Sequence, residues 1–185
     1  MTDVVFHISD QPGIERFEPR PAPHPSSGQT GTMVWAVGQR LLHNYLLPRD
    51  CPRVTFYARP DSTPADVERL MSYSSARHIV AIESGWLSEV IRQRLYLYEF
   101  SAEGFRLVDA GADYYISREV VVPRSVRTID DILKELLERN VELRIMPSLW
   151  KLRDAMIAST LQFSIIRMRN ALLPEDGYDA HYPLP

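Results

Sequence analysis

Three short stretches gather side chains whose types and spacing can do chemistry. The first is VVFHIS at residues 4–9, where His7 and Ser9 stand two apart. In a strand that spacing puts both on one face and Phe6 and Ile8 on the other. An imidazole beside a hydroxyl is a proton-handling pair. On a first strand it is either one wall of a cleft or the wet face of an edge strand. The second stretch is LPRDCPRVTF, where Arg49, Asp50 and Arg53 bracket Cys51. Guanidinium forks grip anions; the competing reading is an ion pair from Asp50 to an arginine that fixes the loop. Cys51 attacks as a nucleophile only as a thiolate, and no histidine lies beside it in sequence, so a packed thiol is expected. The third stretch is YYISRE at residues 114–119. A strand there alternates Tyr115, Ser117 and Glu119 on one face. An aromatic ring, a hydroxyl and a carboxylate together can hold a ribose and stack a base or nicotinamide. The competing reading is a surface strand with a tyrosine packed at its rim.

The elements that must position these residues are short and mixed. Val4–Ile8, Met33–Val37, Arg53–Ala58, His78–Glu83 and Leu95–Phe100 read as strands, being β-branched and aromatic. Phe105–Val108, Tyr114–Ser117, Val120–Val122, Val126–Ile129 and Val141–Met146 read as further strands. Ile14 and Phe17 suggest one helical turn. Leu41–Leu47 has helical spacing and is stopped by Pro48. Thr63 caps a helix that opens on Pro64 and runs to about Met71. Trp86–Gln93 is a short helix. Asp130–Arg139 is an amphipathic helix with Ile132, Leu133, Leu136 and Leu137 as its stripe. Ser148 to about Asn170 reads as the longest helix, with Leu149, Leu152, Met156, Leu161, Ile165 and Met168 apolar. Trp35 and Trp150 are expected in the core. Many short strands without regular βαβ alternation point to an α+β fold, with a mainly antiparallel or mixed sheet and flanking helices. One domain is expected over residues 1–170, with a Pro-rich loop at 19–32 as lid or disorder, then an irregular tail at 171–185.

Composition narrows the function classes. The 185 residues, 45% hydrophobic, suffice for one sizeable core. A net charge of −3 argues against generic nucleic-acid binding and against adhesion to anionic membranes. A lone cysteine fits a reducing compartment. No basic-then-apolar leader is visible, and no apolar run approaches the roughly 20 residues of a membrane span. A cytoplasmic protein is expected. The five histidines lack metal-ligand spacing, so no zinc site is expected. Neither common phosphate-loop motif is present.

Five segments together (FHISD with IERFEPR, VWAV, YLLPRDCPRVTFY, YYISREVVVP and RIMPSLWKLRDAMIASTLQFS) resemble a family of small uncharacterised bacterial proteins, a domain of unknown function. That likeness runs over most of the chain and implies no activity. A second likeness is carried by a strand-one histidine, a "GI..F.PR" turn, a VWA strand and the late "Y.S.E.V.P" segment. These resemble the layout of the ADP-ribosyltransferase-like fold, which includes the RNA 2′-phosphotransferases. It implies NAD or a related nucleotide as ligand, with His7 holding the ribose and Trp35 or a nearby tyrosine packing on the nicotinamide. Glu119 would then stabilise an oxocarbenium-like transition state. The chain departs from that pattern: Ile8-Ser9 follows the histidine where transferases often show Gly-Thr or Gly-Ser. The likeness implies His7 and Glu119 as catalytic residues and Trp35 or a nearby tyrosine on the nicotinamide; the residues read for themselves add Ser9, Arg49, Arg53, Tyr115 and Ser117 to the lining of the expected cleft. The competing function is a non-catalytic binding or protein-interaction module.

Overall fold

Alternating β-branched and aromatic residues build two sheets in a computed structural model that describes residues 3–21 and 28–174. These residues fall into two compact units. Of the described residues, one unit takes 3–21, 28–46 and 94–130, and the other takes 47–93 and 131–174. The division runs through the stretch 1–170 read from sequence as one domain.

The first unit is an antiparallel sheet. Its strands are β1 (Val4–Ser9), β2 (Arg20–Pro21), β3 (Thr32–Val37), β6 (Leu95–Ser101), β7 (Arg106–Asp109), β8 (Tyr114–Ser117) and β9 (Ser125–Ile129). Their order is β7-β8-β3-β1-β6-β9, with β2 beside β3. β1 pairs with β6 along its whole length, Val5 opposite Phe100 and His7 opposite Tyr98. With β3 it shares one registered pair, Phe6 opposite Val37. A small core of Val5, Ala36, Tyr98 and Phe100 occupies one face, joined by Ile14, Phe17, Phe105, Tyr115 and Val121.

Three expectations change here. Ile14 and Phe17 make no helical turn: Phe17 bridges Val121 in extended form. Val121 is correspondingly an isolated bridge and not part of a strand over 120–122. The aromatic ring of Phe17 does more on the sheet face than one isolated turn of helix, which closes a single hydrogen bond at high entropic cost. The helical spacing of Leu41–Leu47 becomes a 3-10 stretch, Gln39–Tyr45, broken at Leu41 and burying Leu41 and Leu42. Between Gly38 and Pro48 there is little room for a stable α-helix. Of the Pro-rich loop, Arg20 and Pro21 pair with Met33 and Thr32, while residues 22–27 lie outside the described residues, as do residues 175–185 of the tail.

The second unit is a mixed four-stranded sheet. Its strands are β4 (Arg53–Tyr57), β5 (His78–Glu83), β10 (Val141–Met146) and β11 (Gln162–Ile166), ordered β10-β5-β4-β11. β10 and β5 are parallel; the other pairs are antiparallel. The helices are α1 (Pro64–Met71), α2 (Leu87–Arg92), α3 (Ile132–Glu138) and α4 (Trp150–Ile157). Thr63 caps α1 by accepting the Asp66 amide, and Pro64 opens it. Asp131 caps α3 by accepting from Lys134. The core gathers Val54, Phe56, Ile79, Ala81, Leu149, Trp150, Met156, Leu161 and Met168.

The expected long helix over 148–170 is corrected. α4 ends at Ile157, and the chain turns into β11. Ser159 Oγ donates to the Met156 carbonyl and accepts from the Leu161 amide, a local alternative to the helical ladder. Gln162–Ile166 then pairs with β4. Leu161 and Met168 are buried as expected, but through a sheet. Ser148 does not cap in the usual way, since Leu149 takes the cap position. Leu137, expected in the buried stripe of α3, is 71% exposed.

Candidate functional site

The register of the first sheet decides which candidates share a face. Ala36 lies opposite Tyr115 and Val34 opposite Ser117. β1 and β3 share only the Phe6–Val37 pair, so alternation from it fixes the faces but not a row across the strands. It sends His7 and Ser9 of β1, Val34 and Ala36 of β3, and Tyr115 and Ser117 of β8 to one face. Strand alternation sends the Trp35 indole to the opposite face, where it meets Tyr114 edge-on with ring centroids 5.9 Å apart. Trp35 and His7 therefore do not share a face.

His7 holds the seam where β1 and β3 leave their ladder. Its Nδ1 donates to the Trp35 carbonyl at 2.9 Å, which puts a proton on Nδ1. Its ring lies 4.9 Å from that of Phe17. Phe17 also meets Tyr98 at 5.1 Å and Phe100 at 5.0 Å, both edge-on. The segment from Gln11 to Phe17 is tied down by the Tyr98 hydroxyl, which donates to the Gln11 carbonyl and accepts from the Ile14 amide. It runs over the same face as His7. His7 and Tyr115 are half-buried there, and Ser9 and Ser117 are buried.

Both serines close turns of their own. Ser9 Oγ accepts from the Gln11 amide at 3.0 Å, and Ser117 Oγ accepts from the Glu119 amide at 3.2 Å. β8 ends at Ser117, so Glu119 is not the next residue of its strand; it is exposed in the turn that Ser117 closes. The strand stops because the Ser117 side chain captures the amide two residues on.

Arg49 and Arg53 belong to the second unit. Arg53 is buried, and its Nη1 donates to the Pro48 and Cys51 carbonyls at 3.1 and 2.9 Å. It ties the turn that leads into β4. Arg49 is exposed, and its carbonyl accepts from Arg167 Nε. Asp50 does form an ion pair, with Arg167 at 3.7 Å. Cys51 is fully buried, and its thiol is pushed up to about 12, first by burial and then by the charges of Glu89 and Glu83, against the opposing pull of Arg53.

Sequence reasoning missed Glu83. Its carboxylate is buried at the end of the apolar run HIVAIE and accepts from the Leu149 amide at 3.4 Å and the Leu172 amide at 3.0 Å. Trp150 Nε1 donates to the Leu172 carbonyl at 2.7 Å. Glu83 thus fastens the start of α4 and the segment beyond β11 to the end of β5. An acid closing a wholly apolar strand was the available signal. Among the described residues no group of three His, Cys, Asp or Glu side chains could hold a metal ion. No helix of the described chain is long and apolar enough to cross a membrane.

An α+β chain with an antiparallel sheet in one unit and a mixed sheet in the other is the class these features define. The chain belongs to the family of unknown function DUF6886, whose model matches residues 6–171. No curated protein and no solved structure matches it.

Proposed function

We propose that the chain binds a nucleotide-type ligand, NAD or a relative, on the first sheet's face bearing His7, Ser9, Tyr115 and Ser117. What supports this reading is the shared face, on which β1 and β8 supply the polar groups at the margin of the apolar core of Val5, Ala36, Tyr98 and Phe100. Two strand spacings, about 10 Å, separate β1 from β8, a span suited to a ribose with its base. The half-buried Tyr115 offers the uncovered part of its ring for stacking, and the half-buried His7 an imidazole for a ribose hydroxyl. Trp35, on the opposite face, takes no part in this reading, and Arg49 and Arg53 are assigned to the turn before β4.

Binding is favoured over turnover. An oxocarbenium-like transition state needs a fixed carboxylate beside it, and Glu119 is exposed two residues past the end of β8. A thermal-shift titration with NAD tests the reading. At a hundred times the dissociation constant a ligand stabilises by about 2.7 kcal/mol. Tyr115→Ala should abolish the shift, and Glu119→Gln should preserve it. No shift with millimolar NAD or AMP overturns the reading. Release of nicotinamide that Glu119→Gln abolishes would restore the enzymatic one.

A further inference from the structure

The outer side of β10 is an open sheet edge. β10 ends the order β10-β5-β4-β11, and no described strand pairs with its other side. Its six residues keep an unbroken parallel register with β5, from Val141 opposite His78 to Met146 opposite Glu83. An edge of this length is normally blunted by a bulge, a proline or charged side chains; VELRIM has neither bulge nor proline, and its two charges, Glu142 and Arg144, are of opposite sign and pair with each other. The other edges differ. β7 carries a register shift between Leu107 and Asp109. β9 has Arg127 at its centre and would set that charge against itself. β11 is also unblunted, but QFSII carries no charge pattern that would match it to itself in one register.

The sequence of β10 is complementary to itself. In an antiparallel pairing about a two-fold axis at Leu143, Glu142 of each copy faces Arg144 of the other, Val141 faces Ile145, and Leu143 faces Leu143. Glu142 and Arg144 already pair within the chain at 2.6 Å, both half-buried. The two copies would set four charges of alternating sign at the corners of one square, the arrangement in which cross-strand pairs stabilise. α3 packs on β10. Ile145, on the strand itself, is 46% exposed.

We propose that β10 is a homodimer interface, joining two copies edge to edge about Leu143 into one continuous sheet. The occupant is a second copy because the charge pattern matches itself in this register, and a two-fold contact requires such a self-match.

Sedimentation over protein concentrations from about 5 to 500 µM should show mass rising from the 21.3 kDa chain to twice that value. Ile145→Lys, at the exposed position of the strand itself, should move the midpoint to at least about tenfold higher concentration. The Leu143→Cys variant fixes the register. Directly opposed residues have Cα atoms about 4.5–5.5 Å apart, within disulfide reach, so it should form a linked dimer on mild oxidation. Glu142→Cys should not, since its mate lies diagonally, beyond that reach. Native Cys51 is buried and adds no background. A monomer at every concentration overturns the proposal, as does a dimer in which Leu143→Cys does not crosslink.

Discussion

Phe17 and Val121 are joined by both main-chain hydrogen bonds, amide to carbonyl in each direction, at 2.8 and 3.1 Å. The pair anchors the far end of a strap whose near end hangs on Tyr98. The strap packs over the face on which His7 and Tyr115 lie.

Tyr98→Phe should loosen the strap while leaving the ring packing intact. The lost hydroxyl leaves the Gln11 carbonyl and Ile14 amide without their partner, at a cost of about 1–2 kcal/mol. Urea unfolding measures the cost. Hydrogen exchange should place the added opening in residues 11–17. Uniform loss of protection across the sheet would refute the strap as a separable element. Phe17→Ala should cost more, about 2–3 kcal/mol, because it also removes three ring contacts.

Much of this architecture is legible in the sequence. β1, β3, β4, β5 and β6 follow from alternation and β-branching, and Thr63-Pro64 announces α1 through its capping chemistry. The failures share a cause: a local pattern fits two structures and a distant partner chooses. Leu161, Ile165 and Met168 suit a helical stripe and also suit β11; pairing with β4 and the Ser159 turn decide. Glu119 follows the alternation of β8 on paper, but the Ser117 side chain ends the strand first. Nothing around Tyr98 in LYLYEF marks it as the residue that holds a strap from β1. Alternation pairs His7 with Ser9 on β1 and Tyr115 with Ser117 on β8. Which strands lie side by side is a matter of topology, which alternation does not encode.

Gly38 is required for a steric reason. Its φ of −74° suits any residue, but a Cβ there would land on the Asp113 carboxylate. The Asp113 backbone is fixed, with φ +57° and its carbonyl held by the Gly38 amide at 2.8 Å, so its carboxylate must swing away about the side-chain bonds. Gly38→Ala should therefore cost about 1 kcal/mol, the off-rotamer penalty of that displacement. Asp113→Gly removes the clash and tolerates the left-handed backbone. The double variant should be more stable than the sum of the single changes implies. Strict additivity in thermal unfolding would show that the carboxylate is not the obstacle.

Asp66 should set part of the acid limb of stability. Its carboxylate accepts from Arg69 at 2.8 Å, from the Thr160 amide and hydroxyl, each at 2.8 Å, and from the Thr63 hydroxyl at 3.1 Å. These donors, Arg69 first, hold it well below the usual carboxylate range. A carboxyl whose folded pKa is depressed stabilises the fold above its unfolded pKa, about 3.9. That contribution is lost as pH falls through the folded value. Asp66→Asn should thus flatten the decline of stability below about pH 4. An unchanged slope in urea titrations at successive pH values would remove Asp66 from the acid limb. The variant should also loosen the α4–β11 turn, visible as exchange at Thr160.

Cys51 titrates in the opposite sense. Burial pushes its thiol up to about 12, while an unfolded thiol titrates near ~8.5. Folding keeps the proton on sulfur, so this contribution is complete below about pH 8.5 and is lost progressively toward pH 12 as the unfolded thiol ionises. The thiolate is the reactive species, so a disulfide-exchange reagent at pH 8 should label the native chain no faster than it unfolds. Adding urea should raise the labelling rate in step with the unfolded fraction. Cys51→Ala should make the alkaline decline shallower while lowering stability at neutral pH through the small cavity it leaves. Rapid stoichiometric labelling of native protein would mean that Cys51 is neither sealed nor held protonated.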